Sequence, residues 1–494
     1  MAQNLSHLPT ALYSAAAIRD AELAWAAHHQ TSLYQLVERA GLAAFELLQQ
    51  RIPATSRILV IAGQGNNGAD ALLCYYWLKQ REFDVALALH PAKYPTDEWQ
   101  QAWQLLTEHG YHDPIIELTN DALLAEFDVI VDGLLGTGVR GELRDEMASL
   151  VTAINQTDAI IFSLDLPSGI NADTGAGAAV VADFTLCMGA MKQGLLTSKA
   201  RNCSGLLFFA DLGLNDFLPA AKVKRVGYDY LAGCLGVRAR DSHKGDSGRV
   251  TVIGGDYGMA GAVRLAGEAA LRAGAGLVTV ISRPEHQQTV NSNRPELMFW
   301  GCELVDMEVY SRLGWARVLV LGPGLGKQDW GYNLFKAVGL SEKPMVLDAD
   351  ALNLLSQDPR REANWVLTPH PGEAARLLGC NIQAIEQDRF AAVRELQQRF
   401  GGVVLLKGAG TLICDGDTVY VAPVGNPGLA SGGCGDVLSG IIGALIAQGL
   451  SLVSATVAAV VIHGEAADKA AEQGERGMLA SDLFPWIRRL VNTV

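Results

Sequence analysis

Asn426 to Val437 reads NPGLASGGCGDV and passes straight into the apolar run LSGIIGALIAQ, Leu438 to Gln448. Gly428, Gly432, Gly433 and Gly435 let the backbone take positive φ values and gather several N–H groups around one ligand. The helix expected next adds unpaired N–H groups and a partial positive charge at its start, so the ligand to expect is phosphate. Asp436 stands apart in this setting. A carboxylate beside phosphate is costly unless a metal, a proton or a chemical role compensates, so Asp436 reads as a general base for a hydroxyl nucleophile or, more plainly, as a helix cap.

Working outward, RVTVIGG (Arg249 to Gly255) is a strand entering a glycine turn, and GMAGAVRLAGEAALRAGAG follows as a small-residue helix. Further strands are expected at Leu277 to Ile281, Arg317 to Leu321 (into GPGLG), Pro344 to Leu347 (into DADAL), Trp365 to Thr368 (into PHPGE) and Val403 to Leu406 (into KGAGT). If the sheet is parallel, their ends bring His370, Glu373, Lys407, Thr411 and Asp436 to one edge. Singly, His370 reads as a loop hydrogen-bonder, Asp348 and Asp350 as helix caps and Lys407 as a solvated strand end. Jointly they read as a phosphate-handling site. There is no Walker A sequence, because Gly326 and Lys327 lead into Gln328.

The first half repeats the rhythm. Ile18, Leu23, Trp25, Leu33, Leu36, Val37, Leu42, Phe45 and Leu48 recur at helical spacing and predict two amphipathic helices between Ala15 and Gln50. RILVIAG (Arg57 to Gly63) then runs into GQGNNG, Gly63 to Gly68, and a helix over Ala69 to Lys79, the G-x-G-x-x-G pattern in its strand–turn–helix context. The second strand, Val85 to Leu89, ends at His90 and Pro91 where a dinucleotide fold places an acid for the ribose, which excludes a standard NAD-using dehydrogenase. Asn66, Asn67 and Asp70 instead place oxygens and amides at the turn, as a polar ligand or a hard cation requires. Strands Phe127 to Asp132 and Ala159 to Asp165 run into GLLGTGVRGE and LPSG, so Asp132 and Asp165 belong to the same edge. The pattern loosens between Leu212 and Gly248, and a domain boundary is placed near residue 222, giving domains 1–222 and 223–494.

Composition narrows the classes. A chain of 494 residues, 49% hydrophobic and 19% charged, can form two or three domains. Its net charge of −14 opposes nucleic-acid and anionic-membrane binding, so anionic ligands must be held locally. The 8 cysteines contain no CxxC pair and suggest neither zinc nor disulfides, in keeping with the cytoplasm. No basic residue precedes Arg19, and no secretory signal is expected. The charge-free span from Asp436 to Glu465 is long enough for a membrane helix but is broken by Gln448, Gly449, Ser451, Ser454 and Thr456, and reads as two buried helices.

NNGAD, VDGLLGTGVRGE, DLPSG, GGDYGMAGA, GPGLG, TPHPGEAARLLG, KGAGT and NPGLASGGCGD occur in this order over nearly the whole chain. In them the chain resembles the bifunctional NAD(P)H-hydrate repair enzymes. The resemblance implies an α/β chain of two domains, an N-terminal Rossmann-like epimerase and a C-terminal ribokinase-like dehydratase. It implies that Asn66, Asn67, Gly68, Ala69, Asp70, Gly136, Thr137, Gly138, Val139, Arg140, Gly141, Glu142 and Asp165 contact the hydrate in the epimerase, with potassium at Asn67, Asp132 and Ser168. In the dehydratase it implies hydrate contacts at Ala260, Gly324, His370 and Asp436, and nucleotide contacts at Lys407, Gly408, Ala409, Gly410, Thr411 and Gly435. Cys434 stands where Thr is expected and Ala69 where Gly is frequent. Cys434 keeps its backbone N–H and is expected to make the loop oxidation-sensitive.

The mechanism expected from both readings is phosphorylation of the hydrate's hydroxyl with Asp436 as base, the amides of Gly432, Gly433, Cys434 and Gly435 as anion hole, and expulsion of phosphate to give NAD(P)H. Asp165 is the expected proton carrier of the epimerase. Magnesium with ADP or ATP, ADP the expected donor, and a homo-oligomer complete the picture. The rivals are a small-molecule kinase fused to a nucleotide-binding module, and a non-catalytic nucleotide sensor.

Overall fold

The computed structural model describes residues 5–90, 95–111, 115–116 and 124–492, so Pro91 lies outside the described residues. Contacts divide the chain into two compact units, one of His7–Val223 and one built mainly from Lys224–Val494.

Among the described residues of the first unit, seven strands form one sheet: β1 (Ile58–Ala62), β2 (Val85–Leu89), β3 (Ile115–Ile116), β4 (Val129–Gly133), β5 (Ile160–Leu164), β6 (Phe184–Met188) and β7 (Leu206–Ala210). They lie in the order β3-β2-β1-β4-β5-β6-β7, every neighbouring pair parallel. All five residues of β1 are buried, as strands covered on both faces require. The order reverses between β1 and β4, which opens a crevice at their carboxyl ends. Neither β6 nor β7 is expected from the sequence, because five-residue apolar runs such as FTLCM and LLFFA do not distinguish strand from buried helix by period. The helix after β1 spans Asn66–Gln80, three residues earlier than expected, with Gly65 at its N-cap. Gly68 permits this start: a Cβ there would lie 1.9 Å from the Gly63 carbonyl oxygen. Asn66 and Asn67 therefore stand on the first turn of the helix and not in the loop before it, with Asp70 one turn further on. Helices Ala15–His29 and Tyr34–Arg51 are the two expected amphipathic ones.

In the second unit β8 (Arg249–Ile253), β9 (Leu277–Ser282), β10 (Met298–Gly301), β11 (Val318–Leu321), β12 (Met345–Leu347), β13 (Trp365–Leu367), β14 (Val403–Leu406), β15 (Thr411–Cys414) and β16 (Val419–Ala422) share one sheet, in the order β16-β15-β14-β13-β12-β11-β8-β9-β10. Pairing is parallel from β10 to β14 and antiparallel across β14, β15 and β16. KGAGT thus turns a hairpin at the sheet's loaded edge, where the sheet stops being parallel. The glycine-rich stretch runs into helix Cys434–Ala447, which packs closely on helix Ala260–Arg272: a Cβ on Gly440 would come within 2.1 Å of the Ala266 carbonyl oxygen. The charge-free span becomes helices Cys434–Ala447 and Leu452–Ala470, parted by Gly449 at φ 105°. Among the described residues no helix is long and apolar enough to cross a membrane.

Candidate active sites

In the second unit the organising group is Asp348, which follows β12 and is 1% exposed. It is no helix cap, since Ala349, at φ 49°, takes the N-cap position of helix Asp350–Gln357. Its Oδ1 accepts from Thr368 Oγ1 at 2.7 Å and Lys407 Nζ at 3.0 Å, and its Oδ2 from Ser439 Oγ at 2.7 Å. Burial pushes the Asp348 carboxyl up, but Lys407 and these hydroxyl donors outweigh it and hold it below its ordinary value. For Lys407 burial opposes the charge, and Asp348, Glu373 and Asp436 more than restore it. Buried Arg389 supports the hairpin turn from below, donating to the Leu406 and Lys407 carbonyls at 3.3 and 3.1 Å. Gly408, at φ 145°, leaves room for it, since a Cβ there would meet the guanidinium at 2.6 Å. Thr411 Oγ1 closes the turn on the Gly408 carbonyl at 3.1 Å.

His370 does cap a helix: its Nδ1 accepts from Gly372 N at 3.0 Å, and Glu373 returns the bond to His370 N at 2.8 Å. The other ring nitrogen stays half exposed, 3.5 Å from Glu373. Gly324 (φ 58°) lies against the start of the helix that Ala260 opens, its missing Cβ position 2.6 Å from the Met259 Cβ and 3.2 Å from the Ala262 Cβ, and its carbonyl accepts from Asp256 N at 2.6 Å. The same loop meets the Asp348 region where Gly326 N donates to Asp350 at 2.9 Å.

Asp436 sits on the first turn of helix Cys434–Ala447, whose N-cap is Gly433 at φ 92°. Its carboxylate forms no hydrogen bond or ion pair among the described residues. Burial, then the Asp348 carboxylate, push it up to about 7 against the pull of Lys407. Gly435 lies between these groups, its missing Cβ position 3.4 Å from Lys407 Nζ and 3.7 Å from Asp348. The N–H groups of the first turn point out of the helix, and that of Cys434 is 3.5 Å from the Ser431 carbonyl. A base near neutrality, an ammonium and open amides thus stand together, a set suited to deprotonating a hydroxyl beside phosphate. Cys434 itself corrects an expectation: it is 4% exposed and burial pushes its thiol up, so its thiolate is neither favoured nor accessible.

In the first unit the crevice between β1 and β4 holds the expected polar residues. Asp132, fully buried, accepts from Ser163 Oγ at 2.8 Å, from Ser168 N at 2.9 Å and from the Ser168 hydroxyl. Leu135 N donates to Ser168 Oγ at 2.8 Å while Asn67 Nδ2 donates to the Leu135 carbonyl at 2.9 Å, so Asn67, Asp132 and Ser168 converge on one backbone segment. Asn67 Oδ1 is buried and unpartnered. Gly136 approaches Asn67, its missing Cβ position 3.1 Å from the Asn67 Cβ. The rest of this loop lies more open. Arg140 donates to the Thr137 and Val139 carbonyls at 3.3 and 3.0 Å and faces Asp173 at 3.7 Å. Gly138, Gly141 and Glu142 are exposed, and no hydrogen bond or ion pair among the described residues ties Glu142 to the Asn66–Asp70 turn.

Lys192 is the residue the sequence reading missed. It is 2% exposed and donates to Asp165 and, at 2.7 Å, to the Met188 carbonyl. Asp165 adopts φ 63°, which turns it so that Met188 N donates to its carboxylate at 3.1 Å. Asp70 has no hydrogen-bond or ion-pair partner among the described residues. Burial, then Asp165 and Glu22, push it well above its ordinary value, and burial also raises Glu22. The available signal was a lone lysine in the apolar run FTLCMGAMKQGLL, Phe184 to Leu196.

Residues 33–194 match the family model described as YjeF-related protein N-terminus, and residues 250–489 the one described as NAD(P)H-hydrate dehydratase. A ribokinase-like superfamily protein from Enterococcus faecalis is 28% identical with a TM-score of 0.52, covering 56% of this chain and 97% of its own. The bifunctional NAD(P)H-hydrate repair enzyme of Coxiella burnetii is 46% identical over 98% of this chain and 100% of its own. That of Escherichia coli is 45% identical over 100% of this chain and 96% of its own. With an N-terminal Rossmann-like unit and a C-terminal ribokinase-like unit joined in that order, the chain belongs to the family of bifunctional NAD(P)H-hydrate repair enzymes.

Proposed function

We infer that the first unit interconverts the R and S hydrates of NADH and NADPH, and that the second dehydrates the S form at the expense of ADP or ATP. The observation that carries the dehydratase reading is Asp436: a carboxylate held near pH 7 without a partner, on an N-terminal helical turn beside the Lys407–Asp348 pair. Asp436 takes the proton of the hydrate's hydroxyl, and that oxygen forms its bond to the terminal phosphorus as the bond to the nucleotide's bridging oxygen breaks. Lys407 and the amides of Gly432, Gly433, Cys434 and Gly435 offset the charge on the transferring group. The ring C–O bond then breaks, phosphate departs, and a proton leaves the adjacent ring carbon to restore the double bond of NAD(P)H. ADP is the proposed donor, with Lys407 to Thr411 and Gly435 holding the nucleotide and Ala260, Gly324 and His370 the hydrate.

In the first unit the ring nitrogen expels the hydroxyl, which leaves as water once protonated, and water returns to the other face. Asp165, joined to Lys192, carries the proton in this reading, and the unpartnered Asp70 is the second acid. Asn67 Oδ1, Asp132 and Ser168 fit potassium, because a buried amide oxygen without a donor, a carboxylate and a hydroxyl are gathered around the one segment Leu134–Leu135. Bound there, potassium would fix these oxygens and the neighbouring substrate. Magnesium is proposed only as the ion carried by the nucleotide's phosphates, since no group of three His, Cys, Asp or Glu side chains among the described residues fits a metal.

One incubation tests the whole: the purified chain with mixed NADH hydrates, potassium, magnesium and either ADP or ATP. Reduced-nicotinamide absorbance should return as free phosphate appears in equal amount. A stable phosphorylated product would instead establish the kinase rival, and binding without turnover the sensor.

A further inference from the structure

A cavity of about 1010 Å³ lies in the second unit, between helix Ala260–Arg272, the turn at Asn293 and Arg294, and helix Phe484–Leu490. Its charge opposes that of the chain. Against a net charge of −14, five arginines (Arg264, Arg272, Arg294, Arg488 and Arg489) line it, with Glu268 the one carboxylate among the described lining residues. Glu268 is 4% exposed and serves both Arg294 and Arg272, the latter at 3.5 Å. Among the described residues Arg264 donates to the Thr289 carbonyl alone, at 2.8 Å, and Arg489 lies 4.7 Å over the Trp486 ring. Neither of these, nor Arg488, forms an ion pair among the described residues. Like charges gathered around one cavity repel one another unless an anion joins them. The guanidinium fork matches phosphate oxygens, and the volume suits a ligand of nucleotide size.

We propose that this arginine cavity is a second anion site, distinct from the Asp436 site, that takes a phosphate chain of the pyrophosphate or nucleotide type. It shares walls with the phosphate loop: Leu265, next to Arg264, and Ala480, next to Ser481, are the side chains a Cβ on Gly433 would meet, at 2.5 and 3.3 Å. A ligand that draws these walls together acts on the loop that positions Asp436. The proposal does not depend on the dehydratase reading, because its readout is occupancy of arginines.

Arginine modification by phenylglyoxal tests it on the full chain, mapped by peptide mass spectrometry with inorganic pyrophosphate, with ADP or with neither. At ten times its Kd, pyrophosphate should slow modification of Arg264, Arg488 and Arg489 by about tenfold, and raised salt should weaken that protection. Arg240, exposed elsewhere in the unit, should react unchanged. Protection by pyrophosphate alone identifies a free-anion site, and protection by both ligands a site for the nucleotide's phosphate chain. Replacing the exposed pair, Arg488→Gln with Arg489→Gln, should abolish protection of Arg264 while dehydration without pyrophosphate stays at the parental rate. The proposal is overturned if neither ligand protects, if Arg264 stays protected in the double variant, or if protection needs no ligand and grows with protein concentration, as a second copy covering the cavity would produce.

Discussion

The Asp436 carboxyl makes a prediction in which stability and activity move in opposite directions. Its folded-state value is raised from 3.8 to about 7, chiefly by burial and then by Asp348. A raised carboxyl stabilises the fold fully below its unfolded value, and that contribution is lost as pH rises through the folded value. Between pH 4 and 7 the unfolded chain therefore gains on the folded one by about 1.4 kcal/mol per pH unit, reaching ~4 kcal/mol at the plateau. Solvent screening at this half-buried position lowers that to about 2–4 kcal/mol. Asp436→Asn keeps the shape and removes the ionisation. The variant should match the parent's thermal midpoint near pH 4 and exceed it by ~4–8 °C at pH 8, at roughly 2 °C per kcal/mol for a unit of this size. The assay is the calorimetric transition of the second unit in both proteins from pH 4 to 8. The same change should lower dehydration by about 10²- to 10⁴-fold with hydrate binding nearly intact. A midpoint difference that stays flat across this range would refute the raised carboxyl and, with it, the case for a base poised at neutrality.

Three further outcomes follow from the geometry. Lys192→Met leaves the partly buried Asp165 carboxylate beside Met188 without its cation, so the first unit should lose about 3 kcal/mol by chemical denaturation; Asp165→Asn added to it should restore stability but not epimerisation. Gly408→Ala sets a Cβ against the Arg389 guanidinium at φ 145°, and should raise the KM for nucleotide with a stability loss of about 1–3 kcal/mol in a melting experiment. Peroxide or a thiol reagent should leave dehydration unchanged in the native protein, with Cys434 unmodified by mass spectrometry until denaturant exposes it.

Why some of this was legible in the sequence and some was not depends on where each group's partners lie. A strand running into glycines announces itself locally, so the edge holding His370, Lys407 and Asp436 could be read from strand ends alone. The hairpin at KGAGT could not, because parallel and antiparallel continuations share the same short apolar runs. Asp348 looked like a cap because Asp before a helix commonly is one. Its actual role is set by Thr368, Lys407 and Ser439, three residues remote in sequence that only the fold brings to it. Lys192 was silent for the same reason, since its partner Asp165 lies on the turn after a different strand. Asp348, misread, and Lys192, unread, are the charged centres of the two sites, and each has its environment assembled from several elements. A base such as Asp436 acquires its pKa from the same kind of assembly. Motifs can nominate the acid, while its protonation near neutrality comes from its burial in the fold and then from the Asp348 carboxylate, against the pull of Lys407.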